Sequence, residues 1–144
     1  MIVHHVHLRP TFDGSRVVDV TMDLTAAQLD AGAHAVRHVT ADRYRVAALE
    51  SADDILAMRE LTSLSDELAA LAVPGAINRL TLTVAGTGRL LGALEDFARS
   101  RAEGAVREGD AEALPVVYAM IDGVADAHAA ALRGALDDTV ELTR

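Results

Sequence analysis

The seven residues RYRVAAL, Arg43 to Leu49, decide how many strands this chain has. Tyr44, Val46 and Ala48 alternate with their neighbours, which is the period of a half-buried strand. The same residues also suit the first turns of a longer helix. The stretch Ser51-Ala-Asp-Asp54 favours the strand. Ser51 is a good N-cap, and Asp53 and Asp54 stand where the positive end of a new helix attracts carboxylates.

Upstream, IVHHVHLR (2–9) alternates, with Ile2, His4, Val6 and Leu8 on one face and Val3, His5, His7 and Arg9 on the other. Pro10 ends that strand, and Phe12-Asp13-Gly14-Ser15 reads as a turn in which Asp-Gly supplies the positive φ. RVVDVTMDL (16–24) alternates again, so the two runs predict a hairpin. Thr25 is placed to cap a helix over about 26–38, carried by Leu29, Ala33 and Val36.

Downstream, Leu61, Leu64, Leu68 and Leu71 mark a helix that Val73-Pro74-Gly75 stops. This stripe reads as core, with a short dimer seam as the alternative. INRLTLTV (77–84) is a further strand, followed by a helix to about 103 striped with Leu90, Leu94, Phe97 and Arg101. The last helix runs from about 111 to 136, striped with Val117, Ile121, Val124 and His128. VTMDLTAAQLDAGA (20–33) and LTLTVAGTGRLLGA (80–93) echo one another as strand, small-residue corner and helix.

The resulting order, β-β-α-β-α-β-α-α, predicts an α+β domain. A four-stranded, mainly antiparallel sheet carries helices packed on one face and ends in a C-terminal helical hairpin. Residues 1–144 make one domain, of which 105–144 form a C-terminal helical extension.

Composition narrows the chemistry. The net charge is −9, all 13 basic residues are arginine, and cysteine is absent. Lysine nucleophiles, thiolate metal sites and disulfides are therefore excluded. Acids outnumber arginines in both halves and no basic stripe is present, so nucleic acid is an unfavourable partner. No apolar run approaches the length of a membrane span, and MIVHHVHLRP does not read as a secretory signal. A soluble cytoplasmic protein with no membrane partner is the expectation.

Gly86, Gly88 and Gly92 stand at a strand-to-helix corner in G-x-G-x-x-x-G spacing. The spacing departs from the dinucleotide fingerprint and no strand comes after the helix, so the glycines read as corner and helix packing. Ser63 and Ser65 sit mid-helix, outside any nucleophile elbow. Asp122 and Asp126 share one face of the last helix, as surface acids commonly do.

The six histidines are the most chemically suggestive residues. His5 and His7 point to one strand face; Asp30, His34 and His38 share one helix face. If those faces met, four imidazoles and a carboxylate would converge on an ion such as zinc. If the Leu29/Ala33/Val36 stripe packs on the sheet's apolar face, the two pairs are kept apart. The leading functional expectation is a non-enzymatic, homo-oligomeric interaction or regulatory module. It would dimerise through the last helix, with Val117, Ile121, Val124 and His128 near the seam. A zinc-dependent enzyme or sensor using His5, His7, His34 and His38 is the alternative, and a small-molecule carrier a third.

Overall fold

The N-terminal hairpin forms as its alternation predicts. β1 (Val3–Pro10) pairs antiparallel with β2 (Arg16–Thr25) in a register that sets Val6 against Val20 and Leu8 against Val18. Val18, Val20, Met22 and Leu24 are buried on the inner face. The turn is held by Asp13, whose carboxylate accepts from the Ser15 amide (3.0 Å), the Ser15 hydroxyl and the Thr11 hydroxyl. Gly14 takes a positive φ of 83° there, a region that glycine enters without a Cβ clash. The computed structural model describes residues 2–46, 51–104, 107 and 109–142.

Thr25 and Gln28 then form a reciprocal cap: the Thr25 amide donates to Gln28 Oε1 (2.9 Å) and the Gln28 amide to Thr25 Oγ1 (3.2 Å). From this cap α1 (Ala26–Val46) continues well past the expected end at residue 38. The predicted strand at 43–49 is therefore overturned at Arg43–Val46, which are helical; residues 47–49 lie outside the described set. The cause is a second period hidden in the stretch. Ala33, Val36, Thr40 and Tyr44 recur at helical spacing, and Tyr44 packs against the core from the end of that series. Along this helical path Asp42 pairs with Arg101 and Arg107, and Arg43 with Asp96.

The sheet consequently has three strands, not four. The observed order is β-β-α-α-β-α-α. Ser51 caps α2 (Ala52–Leu71) by accepting from the Asp54 amide, as expected from its position before the two aspartates. Leu61, Leu64 and Leu68 are buried in the core. Gly75, with φ of 76°, turns the chain into β3 (Ile77–Thr83), which pairs antiparallel with β2. Thr83 caps α3 (Val84–Glu103) through the Gly86 amide (3.1 Å), and α4 (Asp110–Leu142) comes last. Strand order is β1-β2-β3. After β1 the chain thus runs strand–helix–helix twice, each time starting its first helix on a threonine cap.

One face of the sheet is covered. α4 lies across β1 and β2, and α3 lies against β3 and β2. The approach of α4 depends on small residues: a Cβ at Gly123 would stand 2.9 Å from Ile2 Cβ, and one at Gly134 3.1 Å from Val6 Cγ1. α1 packs chiefly on α2, α4 and α3, and meets the sheet chiefly through β2. Phe97, Leu90, Leu94, Met120, Val117 and Val124 are fully buried between these layers. Removing each such side chain from water stabilises the fold by about 1.5–3 kcal/mol.

Candidate metal centre

α1 carries Asp30, His34, His38 and Asp42 at successive intervals of four, so all four share one face. The lower part of that face meets α3 and the start of α4. Asp110, the first residue of α4, is completely buried. His34 Nε2 lies 2.7 Å from Asp110 Oδ1. The other carboxylate oxygen accepts from the Arg107 amide (2.8 Å). Arg101 Nε lies 2.7 Å from the same Oδ2, but its N–H is not aimed at it, so the contact is charge on charge.

Arg101 is buried on α3, one turn beyond Phe97, and its guanidinium stacks 5.2 Å from the centre of that ring. Its terminal nitrogens reach Asp42 Oδ2 at 3.3 Å, while Arg107 Nη1 reaches Asp42 Oδ1 at 2.9 Å. Two arginines and two aspartates thus balance in charge around the imidazoles. The rings of His34 and His38 lie 4.2 Å apart, and His34 meets the Phe97 ring edge-on at 5.6 Å.

Two groups are shifted from their ordinary protonation. Burial lowers the His38 pKa, and neighbouring His34, Arg101 and Arg107 lower it further against the pull of Asp110. Burial alone would raise Asp110; the hydrogen bonds from His34 and the Arg107 amide, with the Arg101 charge, overcome it and hold the carboxyl below its usual range. The outcome is a neutral imidazole beside an ionised carboxylate at neutral pH, the forms in which both bind metals.

One donor atom each from His34, His38 and Asp110 lie within 4.8 Å of one another, the one such trio among the described residues. Two imidazoles and a carboxylate suit a borderline divalent ion, and bonds of about 2.0–2.2 Å would need the three side chains to close in slightly. The oxygen not facing the trio is held by Arg107 and Arg101, the kind of outer contact that orients a carboxylate ligand. A cavity of about 320 Å³ opens beside His34, with Asp30, Glu112 and Gly109 on its walls.

His5 and His7 are not part of this cluster. They lie on the outer face of the sheet, where His7 Nε2 bonds Thr21 Oγ1 at 2.9 Å. Of the four histidines expected to converge, the fold brings together two. It adds Asp110, which no pattern in the sequence singles out. A clue was present in Arg101, a cation on the otherwise apolar stripe of Leu90, Leu94 and Phe97, which requires a buried anion.

The other candidates have structural roles here. Gly86 to Gly92 lie within the first turns of α3, and a Cβ at Gly88 would stand 3.0 Å from His128 Nε2, so that glycine admits α4. Gly92 faces open space. The Ser65 hydroxyl bonds the Thr62 carbonyl (2.8 Å). Val117 and Val124 are buried in the chain's own core, whereas Ile121 and His128 are half-buried. Among the described residues, the exposed large apolar side chains of α4 are Tyr118, Leu132 and Leu136. No described helix is long and apolar enough to cross a membrane. Comparison with protein-family models, with curated proteins and with solved structures found no match.

Proposed function

We propose that the protein binds one divalent transition ion of the zinc class at His34, His38 and Asp110. The observation that carries this reading is the convergence of two imidazoles and a buried carboxylate within 4.8 Å, with His38 held towards its neutral form by burial. Three protein ligands leave a coordination position for water or an exogenous group, as in sites that do chemistry or sense metal rather than only brace a fold. The cavity beside His34 gives that position a route to solvent.

The test is zinc titration of untagged, chelator-stripped protein, read by calorimetry and native mass spectrometry. One equivalent should bind, be lost in His34→Ala and His38→Ala, and persist in the double variant His5→Ala/His7→Ala. Failure to take up zinc, or uptake that survives His34→Ala, would sink the reading. A homo-oligomeric interaction role is the second reading, favoured by an aromatic side chain that the fold leaves wholly in solvent.

A further inference from the structure

Phe12 is one of two phenylalanines in the chain, and it is fully exposed. Its place is unusual for a side chain of that size. It stands at the tip of the β1–β2 hairpin, on a turn whose backbone is pinned by Thr11, Asp13 and Ser15. The Thr11 amide donates to the Ser15 carbonyl (2.9 Å), and the Asp13 carboxylate takes three further hydrogen bonds. The ring is thus presented on a stiff support. A rigid exposed aromatic loses little conformational freedom on docking, which is what makes such side chains effective anchors.

A receptor for it exists elsewhere on the same molecule. β3 is an edge strand, paired among the described residues with β2 alone. Between its free edge and α2 runs a groove of about 500 Å³, floored by Leu56, Leu64 and Leu82. Its size lies within the range of clefts that bury ligand groups. Arg59 stands on its rim and makes no ion pair among the described residues, while its neighbour Arg89 is paired with Glu60. Asp13 adjoins Phe12 on the hairpin tip, and its hydrogen bonds keep it ionised. The knob therefore carries an apolar ring beside an anion. The groove has an apolar floor with Arg59 near Leu56, the Arg89–Glu60 pair and, two turns along α2 from Arg59, the carboxylate of Glu67, so only the Arg59 end suits an anion.

We infer that a second copy of this chain docks here: Phe12 of one copy enters the Leu56/Leu64/Leu82 groove of another, with Asp13 against Arg59. This inference rests on the self-association reading and is independent of the metal centre. The contact is small, so it belongs with weak, concentration-dependent interfaces. With a net charge of −9 on each copy, general repulsion opposes it, and moderate salt should strengthen association rather than weaken it.

The experiment is sedimentation analysis of the wild type, Phe12→Ser and Leu56→Glu over about 10–300 µM, a range suited to weak affinities. Both substitutions fall on exposed positions, so folding is preserved and circular dichroism verifies it. The wild type should gain mass with concentration, and each variant alone should stay monomeric. An equimolar mixture should recover a heterodimer, because Leu56→Glu retains the knob and Phe12→Ser retains the groove. A wild type that stays monomeric throughout overturns the proposal and leaves the groove to a different chain. So does association that survives Phe12→Ser, or a mixture that fails to pair. Zinc binding by both variants should equal that of the wild type, which keeps failure here distinct from failure of the metal reading.

Discussion

Asp110 and His34 are 76 residues apart in the chain and 2.7 Å apart in the fold. The contact fastens the start of α4 to the middle of α1, and Arg101 joins α3 to both through Asp110 and Asp42. Removing Asp110 leaves the buried Arg101 with only the partly exposed Asp42, at 3.3 Å, as a counter-charge.

Asp110→Asn should therefore be costly. The amide keeps the shape but not the charge, and Arg101 remains almost wholly buried. Breaking such a pair costs about 3–5 kcal/mol. Chemical denaturation of metal-free protein would measure it, and a loss under about 1 kcal/mol would show that the pair is not what holds the helices.

Acid should weaken the metal-free fold in two stages. The folded pKa of His38 is depressed, so the unfolded chain takes up that proton first, and stability falls as pH drops below about 6.5. Asp110 is also depressed, and its contribution is lost as pH falls from about 3.9 towards its folded value. Stability measured from pH 8 to 3 in His38→Gln should lack the first stage and keep the second.

Gly109→Ala should disturb both the fold and the metal centre. Gly109 has φ of 85°, and a Cβ there would lie 2.9 Å from His34 Cε1. The backbone penalty is about 1–2 kcal/mol. Displacement of the imidazole should weaken zinc binding by about 10-fold or more. Calorimetry on the folded variant would detect the second effect separately from the first.

The glycine corner offers a test of packing against ligand binding. Gly92→Ala, in open space within α3, should raise stability by up to about 1 kcal/mol. Gly88→Val should lower it by about 1–3 kcal/mol, because the branched side chain would meet His128. Equal effects at the two positions would contradict the assignment of Gly88 as the point where α4 approaches.

The hairpin, the caps at Thr25 and Ser51 and the core leucines of α2 were legible because each depends on residues within a few positions of one another. The segment at 43–49 was not. Tyr44 and Val46 fit a period of two, while Tyr44 with Thr40 and Val36 fits a helix, and long-range contacts favour the second: Asp42 with Arg101 and Arg107, Arg43 with Asp96, and Tyr44 with the core. His34 and His38 were identifiable from their spacing. Asp110 was one acid among 22, and no local pattern distinguishes it. The helices lie on the sheet face that carries Val18, Val20, Met22 and Leu24, while His5 and His7 point to the other, which keeps them apart from His34 and His38.

The separation of 76 residues between Asp110 and His34 also bears on the order of folding events. The β1–β2 hairpin and the α1–α2 pair close short loops and can form early, whereas the ion-paired cluster must wait until both C-terminal helices have docked. Interactions made after the rate-limiting step hold the native state in place without hastening its arrival. Zinc should accordingly slow unfolding and leave the refolding limb of a stopped-flow chevron unmoved; a zinc-accelerated refolding limb would place the cluster in the nucleus instead.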